Sequence, residues 1–144
     1  MSSDGTPRGY YVVDVNGEDI SWYFKPCTYD KGENIKLDSS YQLQAYLYDD
    51  GYVYVNVWGY DALWGDVKYI DSSLNEVNMQ RFTTYDMTYM QLCDYYNSSF
   101  PTVGFEYDNK VDHMFRIRPS SDAISGNISV VDRFGKKYST KIYF

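Results

Sequence analysis

The chain has 144 residues, with 20 acidic against 13 basic side chains, a net charge of -7 and a single histidine. That length suits one domain, residues 1–144, able to bury roughly two thirds of the surface its unfolded chain exposes. The charge repels phosphate backbones and anionic headgroups, and no apolar run reaches the ~18 residues of a membrane span, so neither nucleic acid nor a membrane is an expected partner.

Along the chain, side chains alternate with period two almost throughout. In "GYYVVDVNGEDISWYFK" Tyr11, Val13 and Val15 share one face, as do Ile20, Trp22 and Phe24 after the turn "NGED", which predicts a β-hairpin. "YQLQAYLY" sets Leu43, Ala45 and Leu47 opposite Gln42 and Gln44. "YVYVNVW" sets Val53, Val55 and Val57 opposite Tyr52, Tyr54 and Asn56, and "DDG" joins these two as a second hairpin. There Asp49 and Asp50 serve turn chemistry. "VKYID" and "EVNMQRF", joined through "SSLN", predict a third pair.

"TTYDMTYMQLCDYY" breaks the alternation. Its Tyr85, Tyr89, Leu92 and Tyr96 recur at helical spacing, with Thr83 as N-cap and Asp86 in the first turn, which predicts a short helix over an end or face of the sheet. The apolar runs "HMFRIRP", "NISVVDR" and "KKYSTKIYF", separated by turn formers, complete about nine strands. The pattern predicts an all-β fold, an immunoglobulin-like antiparallel β-sandwich with one short helix, and a core containing Trp22, Val13, Val55, Val57 and Val130.

Catalytic and cofactor motifs are absent. Any histidine-based metal or nucleophile site would rest on His113 alone, which reads as a strand-end residue, and no GxxxxGK, GxGxxG or GxSxG occurs. Cys27 and Cys93 are too far apart for a CxxC site and read as small buried side chains. No cofactor is expected. The opening "MSSDGTPRGYY" lacks the basic and apolar segments of a signal peptide.

The stretches "SDGTPRGYYVVDVNGEDISWYFKP", "YVNVWGYDALWGDVKYID", "MQRFTTYDMTY" and "HMFRIRP…ISGNISVVDRFGKKYS" together resemble, in the same order, the C-terminal domain of bacterial calcineurin-like phosphoesterases of the Bacteroides type. The matching residues are Gly9, Tyr10, Trp22, Tyr23, Lys25, Asn56, Val57, Trp58, Trp64, Gly126, Ile128, Val130, Asp132, Phe134 and Gly135. The resemblance implies a non-catalytic accessory module in a larger protein of the periplasm or cell envelope, with the catalytic domain of the same parent chain as its partner. The metal motifs of such enzymes, DxH, GDxxD, GNH and GHxH, clamp a phosphate ester between two ions about 3.5 to 4 Å apart. Here Asp112 and His113 are adjacent, Tyr69 stands where the second aspartate of GDxxD would fall, and Ile128 stands where the histidine of GNH would.

Three aromatic residues in "VWGYDALWG", Trp58, Tyr60 and Trp64, are the candidate contact residues. They suit closure of a sandwich edge, contact with the catalytic domain, or stacking on a sugar in a free-standing carbohydrate-binding module of the envelope. Calcium held by Asp61 and Asp66 would need about six to eight oxygen ligands, where the spacing offers two.

Overall fold

The computed structural model describes residues 6–26, 42–102, 104 and 109–144. In chain order these form β1 (Gly9–Asn16), β2 (Asp19–Pro26), β3 (Leu43–Leu47), β4 (Val53–Val57), β5 (Lys68–Asp71), β6 (Glu76–Asn78) and β7 (Gln80–Thr84). A helix α1 (Met87–Ser99) and the strands β8 (Val111–Ile117), β9 (Ser125–Val131) and β10 (Lys137–Tyr143) follow. The sheets are antiparallel: a hairpin β1-β2, a sheet β3-β4-β8-β7 and a sheet β10-β9-β5-β6.

The two four-stranded sheets enclose the main core. Val53, Val55 and Val57 of β4 and Phe115 of β8 pack with Tyr69 of β5, Ile128 and Val130 of β9, and Tyr138 and Ile142 of β10. The other face of β4 is covered too. There α1 lays Met87 and Met90 against Tyr54 and Met114, with Tyr46, Tyr52 and Phe82 around them. This double cover explains why every residue of β4 is buried, although its sequence alternates. The all-β class, the short helix over a sheet face, the β3-β4 hairpin and the burial of Val55, Val57 and Val130 agree with the sequence reading.

Several expectations need correction. "EVNMQRF" is not one strand. The chain leaves one sheet at Asn78 and enters the other at Gln80, so the described residues form ten strands where about nine were expected. Between them Met79 is buried, and its N–H donates to Val67 O at 2.8 Å. Val13 is not in the core but 57 % exposed, and Trp22 is only half-buried, because their hairpin forms a sheet of its own beside the sandwich.

The helix N-cap is Asp86, whose carboxylate accepts from Tyr89 N at 2.9 Å, while Thr83 belongs to β7. With that start Met87, Met90 and Cys93 face the sheet, and Leu92 and Tyr96 lie exposed. The misreading has a physical cause. Tyrosine carries an apolar ring and a polar tip, so its recurrence marks a buried face poorly, whereas flexible methionines fill the irregular gap over a sheet. Cys93 is buried, as read from the sequence, and its thiol is free, while Cys27 lies outside the described residues.

Candidate functional site

The three aromatic residues singled out in the sequence lie where the hairpin, the β4–β5 connection and the β9–β10 turn meet. The chain turns at Gly59, which has φ 69. A side chain there would be strained, and its Cβ would fall 2.7 Å from the Tyr11 hydroxyl oxygen. Trp58, only 3 % exposed, sits under the hairpin base with its ring edge-on to Phe24, centroids 6.3 Å apart. Gly9 opens the hairpin because a Cβ in its place would overlap the Phe24 ring.

Tyr60 and Trp64 form a contacting pair with centroids 5.9 Å apart. Both are half-buried: Tyr60 meets Phe115 edge-on at 5.0 Å, and Trp64 stacks on Tyr138 at 5.9 Å and 19°. The Arg81 guanidinium lies over the Tyr60 ring at 4.9 Å. A cavity of about 10 Å³ remains between Trp22, Phe24, Trp58, Trp64 and Tyr138. That holds one water at most. The buried Trp58 Nε1 meets no acceptor among the described residues.

Polar groups here fasten backbone and rings. Asp61 pairs with Arg133 at 2.9 Å, and the same guanidinium lies over the Trp22 ring at 5.0 Å, so one cation joins the hairpin to the connection. Desolvation pushes the Asp61 pKa up, but the hydrogen bonds from Leu63 N and Arg133 outweigh it and hold the carboxyl below its ordinary value. Asp66 accepts from Asn78 Nδ2 at 2.8 Å. Asp132 builds the β9–β10 turn, accepting from Phe134 N and Lys136 N at 2.9 Å and from the Tyr138 hydroxyl at 3.0 Å. Burial, then the Asp132 carboxylate, drive the Tyr138 pKa far upward, so this phenol is a fixed donor.

A second polar cluster went unread in the sequence. Asn56 projects from the outer face of β4 and donates Nδ2 to Asp86 Oδ2 at 3.0 Å, while its Oδ1 lies 2.8 Å from His113 Nδ1. With Nδ2 donating to the carboxylate, Oδ1 can only accept, which places a proton on His113 Nδ1. Asp86 is fully buried. Desolvation raises its pKa, and the hydrogen bonds from Asn56, Tyr89 and Thr88 and the charge of His113 only partly oppose that rise. The legible signal was an asparagine inside a valine-tyrosine strand, since a polar side chain on a covered face needs partners.

The positions that departed from the metal motifs have other occupations. Asp112 is exposed and paired with Arg81 at 3.0 Å, Tyr69 is in the core, and Ile128 is fully buried. Among the described residues, no three of His, Cys, Asp or Glu group so as to hold a metal ion. Asp50, in the second hairpin turn, accepts from Tyr52 N at 2.9 Å and from the Tyr54 hydroxyl at 2.6 Å.

The geometry thus defines a class: a β-rich domain whose recurring aromatic, glycine and aspartate residues serve packing and turns. Residues 1–138 match the family described as the C terminal of calcineurin-like phosphoesterase, and the chain belongs to that family. No curated protein and no solved structure matches it.

Proposed function

We propose that this chain is the non-catalytic C-terminal module of a calcineurin-like phosphoesterase of the Bacteroides type, a single domain that supports and orients the catalytic domain preceding it in a periplasmic or envelope protein. One observation carries the reading. The residues that define the resemblance are spent on folding: Gly9 and Gly126 admit the Phe24 and Tyr69 rings, Asn56 ties β4 to the helix cap, and Asp132 builds a turn. Trp58, Tyr60 and Trp64 belong to the edge that faces the hairpin, where they close the sandwich and back an inter-domain contact. A sugar site needs a bare ring flanked by polar groups. Trp58 is instead buried, and Trp64 is stacked on Tyr138.

Incubated with an aryl phosphate and manganese, the purified chain should release no phenol beyond the rate of buffer and metal alone. Turnover lost on His113→Ala would sink the accessory reading. Titration with envelope glycans at millimolar concentration should leave the tryptophan fluorescence unchanged, and a saturable response lost in Trp64→Ala would favour the carbohydrate module.

A further inference from the structure

The turn between β1 and β2 consists of Gly17 and Glu18, with Asn16 and Asp19 paired across it. Gly17 has φ 64 and Glu18 has no positive φ, which fits a type II′ turn with glycine at its first central position. Asn16 is exposed, and the space around Gly17 is open, since a Cβ placed there would meet nothing within 4 Å. No hydrogen bond from the Gly17 N–H occurs among the described residues. The chain thus sets an exposed carboxamide beside an unhindered backbone nitrogen. Asn16 is also the only asparagine of the sequence that is followed by glycine. Asn97 precedes a serine, but there Ser98 lies within α1, and Asn56 and Asn127 precede β-branched Val57 and Ile128 within strands.

We infer that Asn16 is a site of self-modification, its side-chain amide lost through a cyclic imide formed with the backbone nitrogen of Gly17. That nitrogen attacks Asn16 Cγ, the side-chain Cγ–N bond breaks, and ammonia leaves with the Gly17 amide proton. One water then opens the ring. Cleavage of the newly formed Cγ–N bond leaves aspartate, whereas cleavage of the original peptide C–N bond leaves isoaspartate, whose main chain is longer by one carbon. No oxidant or cofactor takes part. The extended backbone of β1 holds the Gly17 nitrogen away from Cγ, so Asn16 and Asp19 must part before the ring closes. The hairpin permits this, because a two-stranded ribbon is marginal by itself and Val15 and Ile20 near the tip are mostly exposed. Either product adds a carboxylate beside Glu18 and Asp19, and isoaspartate also breaks the two-residue spacing on which the turn depends. The reaction therefore loosens the hairpin tip and leaves the sandwich intact, independently of the accessory reading above.

The test keeps the purified chain in warm, mildly alkaline buffer and follows every asparagine by peptide mapping with mass spectrometry. Asn16 should lose its amide before any other asparagine, leaving aspartate and isoaspartate at that position. Its rate in the folded chain should lie within about tenfold of that in the guanidinium-unfolded chain, because opening the tip costs little. After conversion, the amides of β1 and β2 nearest the turn should exchange about three- to tenfold faster, while those of β4 and β9 keep their protection. Asn16→Gln, whose longer side chain would have to close a larger and slower-forming ring, should keep its amide and the original exchange. Earlier loss at another asparagine would overturn the proposal, as would a folded-state rate more than about tenfold below the unfolded one, which would mean that the turn protects Asn16. Hairpin exchange left unchanged by isoaspartate at residue 16 would overturn the loosening of the tip.

Discussion

Strands β1 and β4 read almost alike, "YVVDV" against "VYVNV", yet Val53, Val55 and Val57 are fully buried while Val13 and Val15 are more than half exposed. The difference lies in what surrounds them. β4 has a second sheet on one side and α1 on the other, whereas beyond its base β1 has, among the described residues, only its hairpin partner. Alternation reports that one face of a strand is apolar. It does not report whether the covering layer belongs to the same domain.

The sharpest way to break this comparison is one substitution made in both regions. Ile128→Ala, in the sandwich core, should destabilise the domain by about 2 to 5 kcal/mol in denaturant melts, from lost burial plus the cavity left behind. A loss below about 1 kcal/mol would mean that the sheets do not enclose Ile128 as described.

The next effect tests the cover over β4. Asp86→Ala removes the helix cap and leaves Asn56 Nδ2 without its acceptor, for a net loss of about 1 to 3 kcal/mol once relief of the buried carboxylate is counted. The pH dependence has a definite sign. The folded state holds the Asp86 proton more tightly than the unfolded chain, so ionised Asp86 costs stability. That cost is relieved as pH falls through the raised folded pKa towards the ordinary 3.8. Asp50, Asp61 and Asp71, with lowered values, act in the opposite sense and below 3.8. The stability gap between the native chain and Asp86→Asn should therefore change with pH only above about 3.8, and a gap constant up to neutrality would show that Asp86 is not buried as a charge.

The smallest effect is the informative counterpart of the first. Ile20→Ala should change the stability of this domain by no more than about 0.5 kcal/mol, since its side chain is already mostly in water. A loss approaching that of Ile128→Ala would place the hairpin face inside the domain and remove the contrast.

Much of the fold was legible because hairpins are local. The turns "NGED" and "DDG" and the valine alternation located β1 to β4 as two hairpins. The change of sheet at Met79 was not legible, because a strand that changes sheets keeps its local pattern. The helix face was misread through tyrosines, whose position on a helix says little about burial. At the candidate site, the sequence located Trp58, Tyr60 and Trp64 in one connection. It could not pair Arg133 with Asp61 or Asp86 with Asn56, contacts between residues 72 and 30 positions apart that only the folded chain brings together.

The passage through Met79 bears on how the domain comes apart. Asn78 and Gln80 lie in opposite sheets, separated by one residue whose N–H is anchored to Val67. A connection that short has no slack, so neither sheet can peel away without dragging the outermost strand of the other. The sandwich thus behaves as one cooperative unfolding unit, with β1 and β2 as an appendage free to open ahead of it.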